Sequence, residues 1–148
     1  MKTLFVEGII IVLDLDRFEE YTIKYGLDQY KPNTITGMLT SLVENFIRKW
    51  RAVVVYGLDY ERGTEETIIE IPYGFEQIDE IVKDLKAIKD EINKAGALIT
   101  IVVVKDYVLG RKARNRKEAY HGTPGRRRAI RVLRKAKRAG GNKLVVLI

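Results

Sequence analysis

The chain has 148 residues, 46% of them hydrophobic, which is the length and apolar content of one domain around one core. It contains no cysteine and a single histidine, His121, which excludes disulfides, thiolate metal sites, cysteine nucleophiles and multi-histidine centres. Any metal ion must rest mainly on oxygen ligands, which suits Mg²⁺ or Mn²⁺. The net charge of +7 is unevenly spread: residues 105–143 hold 15 Lys or Arg against Asp106 and Glu118, a net of +13, while the rest carries −6.

Such a basic segment reads either as a solvated helix face or as a contact for a polyanion. No apolar run approaches the roughly 18 residues of a bilayer span. The longest, 8–13 and 97–104, are strand-sized. No basic leader followed by a long apolar stretch opens the chain, so the expectation is a cytoplasmic protein with no signal peptide and no membrane partner. Abundant Lys, Glu, Arg, Ile and Val with scarce Cys, Gln and Met lean towards a thermophile.

In chain order, residues 9–15 form a β-branched apolar run and predict a buried strand. A short helix is expected over 17–25, ended by Gly26. A connection over 27–32 contains Pro32. Asn33, Thr34 and Thr36 then offer N-caps to an amphipathic helix carrying Ile35, Leu39, Leu42, Val43, Phe46, Ile47 and Trp50 at helical spacing. Residues 52–58 and 67–71 read as two strands of a hairpin around a polar turn with Gly63. Residues 75–94 are expected to be helical, 97–104 a buried strand, 105–125 a long basic loop, and 126–139 a helix. The helix closes at Gly140-Gly141-Asn142, residues that tolerate positive φ, before a last strand over 143–148. The order β-α-α-β-β-α-β-α-β contains a ferredoxin-like βαββαβ core. It predicts a single α/β (α+β) domain over 1–148, with one mixed sheet and helices mostly on one face.

Asp14 and Asp16 end the first strand, and alternation puts both on one face. A carboxylate closing an apolar strand is costly unless it is solvated, paired or holding a metal. The alternatives here are metal binding or a strand end emerging into solvent, with Asp16 capping the next helix. Asp59 and Glu61 lie at the hairpin tip. Because helices link the first and second strands, a right-handed crossover makes those strands parallel and brings Asp14 and Asp59 to one edge. Two converging carboxylates repel unless a cation lies between them, which favours the metal reading. The arginine-rich helix with Lys137 and the Gly-Gly-Asn turn suits phosphate or RNA. Tyr107, Tyr120 and His121 are candidates for stacking on a base.

Residues 14–26, DLDRFEEYTIKYG, resemble the opening Asp-x-Asp-x-Phe motif of GGDEF domains. Residues 56–61, YGLDYE, resemble their signature hairpin in altered form. Residues 132–146, VLRKAKRAGGNKLVV, resemble the closing Leu-x-x-Ala-Lys-x-x-Gly-x-Asn. The resemblance implies the palm fold of the nucleotidyl cyclases and a site for a nucleoside triphosphate, ATP or GTP, with Mg²⁺ or Mn²⁺. By position it implies metal at Asp14, the Leu15 main chain and Asp59, with phosphate or nucleotide at Phe18, Lys137, Asn142 and Arg134; Asp16 and Glu61 are further candidates. It implies metal-dependent nucleotidyl cyclase or nucleotidyltransferase activity. Catalysis by two facing sites in that family makes a homodimer plausible. The hairpin departs from Gly-Gly-Asp-Glu-Phe, and a one-residue shift places Asp59 at the metal-binding position in place of Tyr60. Thr22 and Ile23 replace the family's Asn and Asp after the Phe, which argues against a strict diguanylate cyclase. The smaller archaeal or CRISPR-linked palm polymerases and cyclases are the better comparison. The alternatives are an inactive nucleotide sensor and a basic RNA-binding or assembly module.

Overall fold

A computed structural model describes residues 4–28, 31 and 33–148; Pro32, placed by the sequence in a connection, lies outside them. The elements are β1 (Val6–Asp16), α1 (Phe18–Lys24), α2 (Thr34–Trp50), β2 (Val53–Gly57), β3 (Glu66–Pro72), a 3₁₀ turn (Gly74–Gln77), α3 (Ile78–Lys94), β4 (Leu98–Val108), α4 (Arg116–His121), α5 (Pro124–Arg138) and β5 (Leu144–Leu147). They form one five-stranded mixed sheet in the order β2-β3-β1-β4-β5. β1 is antiparallel to β3 and β4, β2 is antiparallel to β3, and β5 is parallel to β4. The first four strands in this order make the ferredoxin-like palm that the element order predicts.

β1 is apolar on both sides because both sides are covered. Ile9, Ile11, Leu13 and Leu15 join α1, α2 and α3 in one core. Ile10 and Val12 join Ile68, Val102, Val104 and the inner faces of α4 and α5 in a second. The expectation of helices mostly on one face is therefore corrected. β3, β4 and β5 run the same way, and both the β3–α3–β4 and β4–α5–β5 connections move in the same direction across the sheet. They cross opposite faces, so the last connection is opposite in hand to the one before it, against the usual uniformity of crossovers.

Local chemistry sets the helix ends. Asn33 accepts from the backbone N–H groups of Ile35 and Thr36, and Thr36 Oγ1 accepts from the Asn33 N–H, a complete capping box for α2. Thr123 caps α5, with Pro124 at the first helical position. A Cβ on Gly125 would lie 2.6 Å from Ile10 Cδ1, so glycine lets α5 approach the sheet closely.

The expected loop over 105–125 is also corrected. β4 continues to Val108, and α4 forms at Arg116–His121 with Asn115 accepting from the Glu118 N–H. The segment between them is fixed by an ion pair under the sheet. Arg126, 1% exposed, donates to Glu70, 0% exposed, at 2.9 Å. Glu70 also accepts from the Gly110 N–H, and Arg126 donates to the carbonyls of Arg111 and Glu118. Each charge is thus hydrogen-bonded to the other and to the segment that covers it.

Candidate functional site

β1 and β2, both antiparallel to β3, run in the same direction and end at one edge of the sheet. A cleft of about 920 Å³ opens there. Its walls include Asp14, Leu15 and Phe18 from β1 and α1, Gly57 through Tyr60 from the hairpin, Glu65 and Glu66 where the return strand begins, and Lys112 and Arg116.

The hairpin entry depends on two backbone conformations. Gly57 has φ 105°, and a Cβ there would overlap the Glu66 carbonyl oxygen and lie 2.8 Å from Thr67 Cα. Leu58 follows at φ 57°, a left-handed conformation that a branched side chain adopts at a cost of about 1–2 kcal/mol. A register shift between Val54 and Tyr56 bulges the strand. The bulge and the end of β2 at Gly57 break the period of two before Asp59 is reached. Asp59 sits instead in the turn, its Oδ1 accepting from the N–H groups of Glu61 and Arg62, each at 2.9 Å. Glu61 is exposed and does not line the cleft. Tyr60 is exposed at its rim.

Asp14 and Asp16 project to the same side, as alternation requires, and meet Lys137 from α5. Lys137 Nζ lies 3.5 Å from Asp14 Oδ1 and 2.9 Å from Asp16 Oδ1, and it donates to the Leu15 carbonyl at 3.1 Å. The ammonium expected on phosphate is thus seated among three oxygens at the end of β1. Asp16 is 6% exposed and caps nothing in α1, whose first position has no side-chain cap. Its carboxylate accepts from Thr100 Oγ1 at 2.7 Å and from the Asn142 N–H at 2.7 Å. Gly141 packs against that carboxylate at a distance a Cβ would reduce to 2.8 Å. The Gly-Gly-Asn turn therefore binds an internal anion. Asn142's side-chain oxygen accepts from Asn93 Nδ2 at 2.8 Å, which places the residue away from the cleft. Arg134 is exposed on α5 and does not line the cleft either. Phe18 does, and it stacks on Tyr21 with ring centroids 5.4 Å apart.

The cleft is electrostatically strained around Asp14. Burial, opposed by Lys137 and reinforced by Glu66, pushes its carboxyl up to about 6. Partial desolvation likewise raises Glu65, opposed by Arg62 and reinforced by Glu66 and Asp59. Glu66, directly opposite Asp14 in the β1–β3 pairing, accepts from Arg116 Nε at 2.9 Å and from the Tyr120 hydroxyl. Tyr120 is buried in the second core, its phenol raised by burial and by that hydrogen bond, so it is not a stacking platform. The wall residues outside the sequence candidates include Glu66, Lys112 and Arg116. Glu66 and Arg116 are 50 positions apart, and only a strand register locates them. Among the described residues no group of three or more His, Cys, Asp or Glu is arranged to hold a metal ion by itself.

No protein-family model and no curated protein matches the sequence. The fold is similar to that of a bacterial light-regulated adenylyl cyclase, with a TM-score of 0.53 and 16% identity, over 71% of this chain and 56% of that one. The likeness is one of fold, a cyclase-like α+β palm. Among the described residues no helix is long and apolar enough to cross a membrane.

Proposed function

We propose that the cleft holds a nucleoside triphosphate together with Mg²⁺ or Mn²⁺, and that the protein is a divergent nucleotidyl cyclase or nucleotidyltransferase related to GGDEF domains. The observation that carries this reading is that Asp14, at the end of β1, and Asp59, in the turn after β2, line one open cleft together with Lys112 and Arg116. The donor set fits a magnesium-like ion, which in triphosphate sites takes one or two protein carboxylates and fills its octahedron with water and phosphate oxygens. Asp14 fits in particular, because a carboxyl kept partly protonated by burial and a neighbouring acid is one that a cation would stabilise as the anion. Asp14 and Asp59 would hold the ion, joined by the Leu15 carbonyl if Lys137 turns away. The ion supplies charge stabilisation for displacement at a phosphate. Lys112 and Arg116 face the same space and would meet phosphate oxygens, Arg116 being held in place by Glu66. Phe18 and Leu58 give the cleft its apolar wall.

The positions that could select a base offer little. Thr22 is buried with its hydroxyl donated to the Glu19 carbonyl, and Ile23 is exposed and apolar. ATP and GTP are accordingly expected to bind within a few fold of each other. The placement of Lys137 favours a second reading, a sensor without turnover. Its ammonium already meets Asp14, Asp16 and the Leu15 carbonyl, so part of the site's negative charge is offset without a divalent ion.

Two measurements separate these readings. Melting with Mn²⁺ and ATP or GTP should shift upward in the wild type and much less in Asp14→Asn and Asp59→Asn. Pyrophosphate release from the four triphosphates with Mn²⁺ should exceed that of an Asp14→Ala control. Binding without release establishes the sensor. Identical melting shifts in wild type and both variants remove the cleft as the site.

A further inference from the structure

We propose that the outward face of α5 is a docking surface for nucleic acid, gripping the phosphate backbone through a row of arginines. The proposal is independent of the cleft, whose walls contain none of these residues. Arg127, Arg131, Arg134 and Arg138 stand at intervals of four, three and four residues, so their side chains fall within one narrow stripe of the helix. The stripe runs for about 16 Å at about 1.5 Å per residue. Lys135 and Arg128 flank it on the same side, while Ala129, Ile130, Leu133 and Ala136 face the core.

The stripe carries no compensating acid. All four arginines are exposed, and none forms an ion pair among the described residues. The two acids of the basic segment are used elsewhere, Asp106 by Arg128 and Glu118 by Arg114. Four guanidiniums held in a row on a rigid helix repel one another, and their planar forks suit bidentate contacts with the phosphates of a nucleic-acid backbone, whose negative charge relieves that repulsion. A membrane surface is the poorer match. An interfacial helix places large apolar side chains beside its cations, whereas the exposed large apolar residues of this chain all lie outside α5.

The test is fluorescence anisotropy of the full chain with a labelled RNA of about 20 nucleotides and with the corresponding duplex. Contact with four phosphates gives a slope of log affinity against log salt of about −2.8 for a single strand and about −3.6 for a duplex, a loss of about 50- to 150-fold between 50 and 200 mM salt. The triple variant Arg131→Ser/Arg134→Ser/Arg138→Ser keeps one contact, and its affinity should fall only about threefold over the same range. Lys83→Ser/Lys86→Ser/Lys94→Ser, exposed on α3 across the sheet, removes the same charge and should leave the slope unchanged. Absence of binding at 50 mM salt overturns the proposal. So does a stripe variant that matches wild type, or an α3 variant that flattens the slope as much. Tighter binding to vesicles of about 30% phosphatidylserine, or displacement of RNA by polyglutamate at equal charge, would assign the face to a membrane or to an acidic protein and likewise overturn it.

Discussion

Asp14 is a residue whose folded environment works against its charge. Its carboxyl stands at about 6 in the fold against an ordinary value of 3.8, so folding favours the protonated form. Stability from this group is fullest below about pH 4 and is lost as pH rises through about 6. Asp14→Asn, which keeps the shape and removes the charge, should therefore stabilise the metal-free protein by about 1–3 kcal/mol at pH 8 and by nearly nothing at pH 4. Urea unfolding at the two pH values measures this, and an equal effect at both would refute the burial account. Thr67 on β3 offers a second case. Its buried hydroxyl is without a hydrogen-bond partner among the described residues, so Thr67→Val should raise stability by about 1 kcal/mol. Gly57→Ala has the opposite sign. The positive φ and the overlap with the Glu66 carbonyl should cost about 2–4 kcal/mol and displace the hairpin, readable as a lower urea midpoint with weaker Mn²⁺ binding.

Among the elements, what could be read in advance was what local patterning dictates. The helical spacing from Ile35 to Trp50 and the Asn33 cap lead directly to α2, and the β-branched run leads to β1. The extension of β4 to Val108 and the formation of α4 were hidden because charged residues interrupt the apolar pattern. Their stability comes from tertiary contacts, chiefly the Arg126–Glu70 pair and the bond from the Ala113 N–H to the Val55 carbonyl. The side of the sheet taken by α5 was equally hidden, because the usual hand of a crossover points to the other face. The site divides the same way. The arrival of Asp14 and Asp59 at one edge was legible from strand ends and connectivity. Glu66 and Arg116 were not, since they meet only through strand register. The buried pair gives a sharp prediction at this scale. Arg126→Met strands Glu70 in the core and should cost about 3–5 kcal/mol in urea unfolding. Adding Glu70→Leu should recover most of that loss, while the Gly110 amide, deprived of its acceptor, exchanges its hydrogen faster.

Across the whole molecule, the strand order gives the two halves of the cleft unequal footing. β1 is paired over eleven residues with β4 and is buried on both faces, whereas β2 is an outer strand joined to β3 through four residue pairs and a bulge. Openings of a native protein range from nearly free at its margins to as costly as global unfolding at its centre. One jaw of the cleft is therefore rooted in what opens last, and the other swings from what opens first. Native-state hydrogen exchange should find the slowest amides between Ile9 and Leu13 and fast ones between Leu58 and Glu65. A ligand spanning Asp14 and Asp59 would tie the margin to the centre, so Mn²⁺ with ATP should slow the hairpin amides while hardly touching β1. A ligand gripped by both jaws would then leave only as often as that one hairpin loosens its hold.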